Sequence, residues 1–196
     1  MISRPKKLLI VAVGAAAMVL GTTTAVYGSV APGTTVTGTS HSTVFKGTIN
    51  GINITVTCTN FTDSVVVPAG ATNKINIPPP TINGCTDSLS GTDTVTTNST
   101  DGSWYLKTNT AGTKLTLGIP EKGAKFVSSF LPSCTITAAP TAAVKVKGTY
   151  SSSAGTDTVT AKPIAVKGTG CTATTASTTT TVTFSPNPGT IPPFAS

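Results

Sequence analysis

The side chains able to do chemistry in this sequence are few. His41 is the single imidazole, and it lies in a stretch of Thr, Ser and Gly where a solvated surface position is expected. A Ser-His-acid or Cys-His arrangement needs that base held beside a nucleophile, and the flexible surroundings of His41 predict none. Six carboxylates remain: Asp63, Asp87, Asp93, Asp101, Glu121 and Asp157. Glycoside hydrolysis needs two acids at a fixed separation. Asp101 precedes Gly102, while Asp93 and Asp157 share a Gly-Thr-Asp context at a strand entry. Asp in such places bonds its own backbone, so structural turns are expected to account for all the acids. Asp87 and Asp93 could share a Ca²⁺ with loop carbonyls, but calcium loops concentrate several oxygen ligands. The expectation is therefore a non-enzymatic chain with no catalytic residue, no cofactor and no metal.

Cys58, Cys85, Cys134 and Cys171 form an even set. In an exported chain that implies two disulfides, for which three connectivities are possible. Cys58 with Cys85 and Cys134 with Cys171 is favoured, because each pair closes a moderate loop within one half of the chain. Zinc is the rival, but no two Cys are close in sequence and no His stands beside them. Oxidation would also remove any thiolate nucleophile.

Trp104 and Tyr105 are adjacent, and adjacent strand residues point to opposite faces. Trp104 shares parity with Leu106 and is expected in the core. Tyr105 and Lys107 are then outside, which makes Tyr105 the possible ligand contact.

The elements that must position these residues are strands. Ile54, Val56 and Cys58 alternate with Thr55 and Thr57, and the pattern recurs at Leu115, Leu117 and Ile119, at Val144 and Val146, and at Val182 and Phe184. Each set is one apolar face opposed by Thr or Lys. Turn formers such as Asn50 with Gly51, Asn83 with Gly84 and Asp101 with Gly102 separate them. Short strands without a helical period predict an all-β domain, an immunoglobulin-like or jelly-roll-like β-sandwich with two disulfides. The expected divisions are a signal peptide at 1–28, an extended leader or first edge strand at 29–42, the sandwich at 43–185 and a Pro-rich tail at 186–196. The hexapeptide beginning at Gly91 reappears at Gly155, which reads as a recurrent hairpin solution in a Thr-rich chain.

Charged residues are only 10% of the 196-residue chain, and hydroxyl groups supply the polarity instead. Arg4, Lys6 and Lys7, then the apolar run 8–20, read as a secretory signal cut after Ala25 or Gly28. The run is shorter than the roughly 20 residues that span a bilayer, so no transmembrane segment is expected in the mature form. Removing the signal takes the net charge from +7 to ten basic against six acidic side chains. The remaining charges are dispersed Lys with no Arg, which argues against nucleic acid as a partner.

Residues 45–58, from Phe45 to Cys58, residues 78–85 ending on Gly84 and Cys85, Gly102 with Trp104, and Cys134 followed by Thr135 and Ile136 carry a resemblance. They are similar to uncharacterised small secreted proteins of actinobacteria. More distantly they resemble the secreted alkane-oxidation activator family, which has a comparable order of Cys, Gly-Cys, Trp and Cys-Thr-Ile. The likeness covers about residues 43–184 and implies an extracellular β-rich protein with no catalytic residue to carry over. The functional expectation is a secreted or cell-surface protein with a structural or interaction role, its partner an unknown envelope component or extracellular polymer. The alternative is a binding module for an apolar or polymeric ligand, carbohydrate or lipid, which would show as an open cavity between sheets or an exposed aromatic strip.

Overall fold

The computed structural model describes residues 30–69, 73–109, 111–151 and 153–186. The expected signal at 1–28 and all of the expected tail but Pro186 lie outside the described residues. Within them there are thirteen strands and no helix, all joined in one antiparallel hydrogen-bonded network. The all-β expectation holds.

The chain opens with β1 (Thr35–Ser40), β2 (Thr43–Ile49) and the long β3 (Ile52–Val66). Asn50 and Gly51, both at positive φ, make the two-residue turn between β2 and β3 that a right-twisted hairpin prefers. Next come β4 (Lys74–Ile77), β5 (Thr81–Asp87), β6 (Thr92–Thr97), β7 (Trp104–Thr108), β8 (Lys114–Ile119), β9 (Ala124–Ser128) and β10 (Thr135–Ala138). The last three are β11 (Val144–Ser151), β12 (Thr156–Thr169) and β13 (Thr175–Ser185).

Eight of these strands close a ring. The ladders run β2–β3–β5–β6–β9–β10–β12–β13 and back to β2. The far ends of β3, β12 and β13 leave that ring and carry a second arc. There β4, β7, β8 and β11 reach β12, and β13 reaches the end of β3 through β1. The long strands change neighbours where their regularity breaks. In β3 the inward parity slips at the two exposed residues Thr59 and Asn60. In β12 the register shifts between Ala161 and Ile164, where Pro163 has no N–H to give to a ladder.

Each lobe has its own core. Val36, Phe61, Val65, Trp104, Leu106, Val146, Tyr150, Val182 and Phe184 fill the arc. Ile49, Ile54, Val56 and the two disulfides fill the ring, and Ile82 packs against both cores. Strand faces turned to solvent carry Thr, Ser, Lys and Asn, the reverse of a barrel whose apolar face meets lipid. Among the described residues no helix is long and apolar enough to cross a membrane.

One boundary needs correction. The described part of that segment, residues 30–42, is neither an extended leader nor an edge strand, because Thr35–Ser40 is β1, paired to β3 on one side and to β13 on the other. Its inward positions are Val36, Gly38 and Ser40. With only one large apolar side chain among them, the alternation left no hydrophobic signal.

Candidate functional site

Cys58 and Cys85 face each other across the β3–β5 ladder with Cα atoms 3.9 Å apart. Cys134 and Cys171, just outside β10 and β12, stand 5.2 Å apart and belong to the same core cluster as the first pair. Both favoured disulfides are present. Cys58, at 0% exposure, is completely enclosed, as its strand parity required.

Trp104 is 2% exposed and donates its indole Nε1–H to the Asn98 carbonyl at 2.7 Å, which satisfies the one polar group the ring buries. Tyr105 is half-buried on the outer face. Its ring lies over Gly118, where a side chain would collide with it, and the Lys74 ammonium sits 4.4 Å from its centroid. These neighbours cover part of the ring that would otherwise be offered to a stacking ligand. His41 is exposed in the bend between β1 and β2.

The carboxylates divide in a way the sequence did not show. Asp101 and Glu121 sit on the surface and share Lys122, at 3.6 and 2.9 Å. Asp87 behaves as a turn residue, accepting from the N–H groups of Leu89 and Gly91 at 2.8 Å each and from the Ser128 hydroxyl at 2.6 Å. Burial works against its ionisation, but these donors outweigh it and hold Asp87 below the ordinary carboxylate range.

Asp63, Asp93 and Asp157 do not belong to turns, and the expectation that backbone bonds explain them is wrong. Asp93 points inward from β6, and neither of its oxygens has a hydrogen-bond partner. Ser128 has one proton, which goes to Asp87. Burial therefore pushes Asp93 up to about 6; the nearby Ser128 hydroxyl opposes the rise and the Asp87 charge reinforces it. Asp63 and Asp157 are each 5% exposed, each has an oxygen without a partner, and burial pushes each up to about 7.

Asp63 and Asp157 stand on one wall. The neighbouring strands there run β3, β1, β13, β12, with Asp63 opposite Gly38, Gly38 opposite Phe184, and Val182 opposite Asp157. Phe184 and Val182 lean over the bare face of Gly38, so this apolar pair separates the two acids. Asp157 itself lies over Gly148 of β11, where any side chain would strike the carboxylate. Its charge, after burial, helps push Tyr150 up to about 12.

That wall bounds a partly open cavity of about 180 Å³ lined from both cores. Phe45, Val56, Phe61, Trp104, Leu117, Phe126, Val159 and Phe184 are among its apolar lining residues, together with Asp63 and Asp157. Two lysines also border it, Lys46 and Lys125, but both are exposed and alternate outward from β2 and β9. Among the described residues no three His, Cys, Asp or Glu gather to hold a metal.

Comparison with protein-family models, characterised proteins and solved structures finds no match to this chain. The functional reading consequently rests on its own residues.

Proposed function

We propose that this protein is an exported binding module for a small apolar molecule, held between the two lobes of the sheet. The cavity is the observation that carries the reading. Protein interiors pack like organic crystals and leave few voids larger than a water molecule. A dry apolar void of ~150 Å³ is enough to take up benzene, so about 180 Å³ accommodates a single ring or a short alkyl chain. Two disulfides and the N-terminal basic-apolar pattern support export. A surface role for apolar side chains has less support, because the exposed large ones among the described residues are Ile52 and Val66, at opposite ends of the fifteen-residue β3, and Phe130, beyond β9.

The test is titration of the disulfide-intact protein with toluene, followed by heteronuclear NMR and by thermal unfolding. Saturable shifts at residues such as Val159 and Leu117, with a rise in Tm, are expected. Val159→Phe should fill the space and abolish the shifts without loss of stability. Absence of saturable binding, together with a loss of ~1–3 kcal/mol in Val159→Phe from overpacking, would reject the proposal.

A further inference from the structure

We infer that the outer face of β4, β7, β8 and β11 is a docking surface for a linear acidic polysaccharide, independent of the cavity. Lysines spread over residues 74–147 in sequence meet there, because the ladders set them in register. Lys74 of β4 lies opposite Lys107 of β7, Lys107 opposite Thr116 of β8, and Thr116 opposite Lys147 of β11, one line across four strands. Lys145, opposite Gly118, and Lys114, opposite Thr149, flank that line. All five lysines are exposed and alternate outward from their strands.

Like charges directly opposite one another in a sheet repel, and ordinary protein surfaces intersperse the two signs. No carboxylate side chain stands on this face. Asp63, Asp87, Asp93 and Asp157 are buried, while Asp101 and Glu121, before β7 and after β8, share Lys122. Those are all six acidic side chains of the sequence. The face therefore carries a positive field that an anionic partner relieves.

The groups between the lysines select the polymer. Asn76, Thr116 and Thr149 point outward among them, with amide and hydroxyl groups that donate to and accept from sugar hydroxyls. Lysine offers point charges, whereas the planar forks that grip phosphate come from arginine, of which the described residues have none. Tyr105, the aromatic ring on this face, is partly covered by its contact with Gly118 and by the Lys74 ammonium, so it is a poor platform for a stacked base. A lipid surface is disfavoured too. The exposed large apolar side chains, Ile52, Val66 and Phe130, lie on other elements, leaving none on this face to enter a headgroup layer.

The probe is polygalacturonate, titrated into the disulfide-intact chain at about 20 mM and about 200 mM NaCl, beside neutral dextran and phosphatidylglycerol vesicles. Binding to polygalacturonate is expected at the lower salt, weakened about ten-fold at the higher, with none to dextran. Lys107→Gln should weaken it about five-fold, while Lys167→Gln, which removes the same charge from the outward side of β12, should change it less than about two-fold. In the native chain the polymer should slow acetylation of Lys74, Lys107 and Lys147, read by mass spectrometry, and leave Lys167 as reactive as before. Equal losses in the two variants, or uniform protection, would reduce the effect to net charge and overturn the docking face. Tighter binding to the vesicles than to polygalacturonate at equal anionic charge would overturn the polysaccharide. Absence of binding to polygalacturonate at the lower salt overturns the proposal outright.

Discussion

At the residue scale the buried carboxyls set how stability responds to pH. Asp63 and Asp157, pushed up to about 7, and Asp93, up to about 6, keep their protons in the folded chain after the unfolded chain has lost them near 3.8. Their contribution is complete below about pH 4 and is lost as pH rises through 6 to 7, at up to ~1.4 kcal/mol per pH unit for each carboxyl within that window. Asp87, held low, acts in the opposite sense, and its contribution is lost only on acidification below the ordinary carboxylate range. The urea midpoint should therefore be higher at pH 5 than at pH 8. Asp157→Asn should flatten that slope by about a third, as one of three such groups; an unchanged slope would show that Asp157 is ionised in the fold. Trp104→Ala should cost about 3–5 kcal/mol in denaturant unfolding, and Tyr105→Ala much less. The fluorescence of the native protein should be blue-shifted and poorly quenched. Trp104 could be read from parity with Leu106 because indole and isobutyl groups reveal which face is inside. Asp157 could not, since a Gly-Thr-Asp turn entry and an inward strand position have the same local sequence. Only the burial of Val159 two residues later hinted that the acid shares its face.

At the element scale the strands were legible and their partners were not. Alternation at residues 54–58 or 182–184 follows from a two-residue period, which says nothing about which strand lies alongside. Long β3, β12 and β13 each serve both lobes, and the irregularities that allow it, at Thr59 with Asn60 and at Pro163, look like ordinary turn residues in a Thr-rich sequence. The Gly91 and Gly155 repeats do both start the return strand of a hairpin, β5 to β6 and β11 to β12. Their surroundings differ: the first aspartate meets Asp87 and Ser128, the second Gly148 and the cavity. Gly148 offers an element-level test. Gly148→Ala puts a methyl group where the Asp157 carboxylate lies and should cost about 1–3 kcal/mol. In an Asp157→Ala background that cost should fall by at least half, and a double-mutant cycle measures the difference. Additive effects would place the carboxylate elsewhere.

At the scale of the whole molecule the feature with the widest reach is the position of β13. The last strand of the sheet is central to it, paired with β1, β2 and β12 at once. Thr37 meets Ser185 and Thr43 meets Thr180, so closure joins residues from opposite ends of the described chain. Such non-local pairing places folding in the millisecond-to-second range, slower than a helical protein of this size. Stopped-flow refolding of the disulfide-intact chain should show it, and microsecond refolding would contradict the topology. For a chain synthesised from its N-terminus, the consequence concerns timing. Until residues 175–185 emerge, β1, β2 and β12 each present an unsatisfied edge and the ring has a gap one strand wide. The fold thus stays unlocked while the chain is being made, and it closes only when its final strand takes its place between β1, β2 and β12.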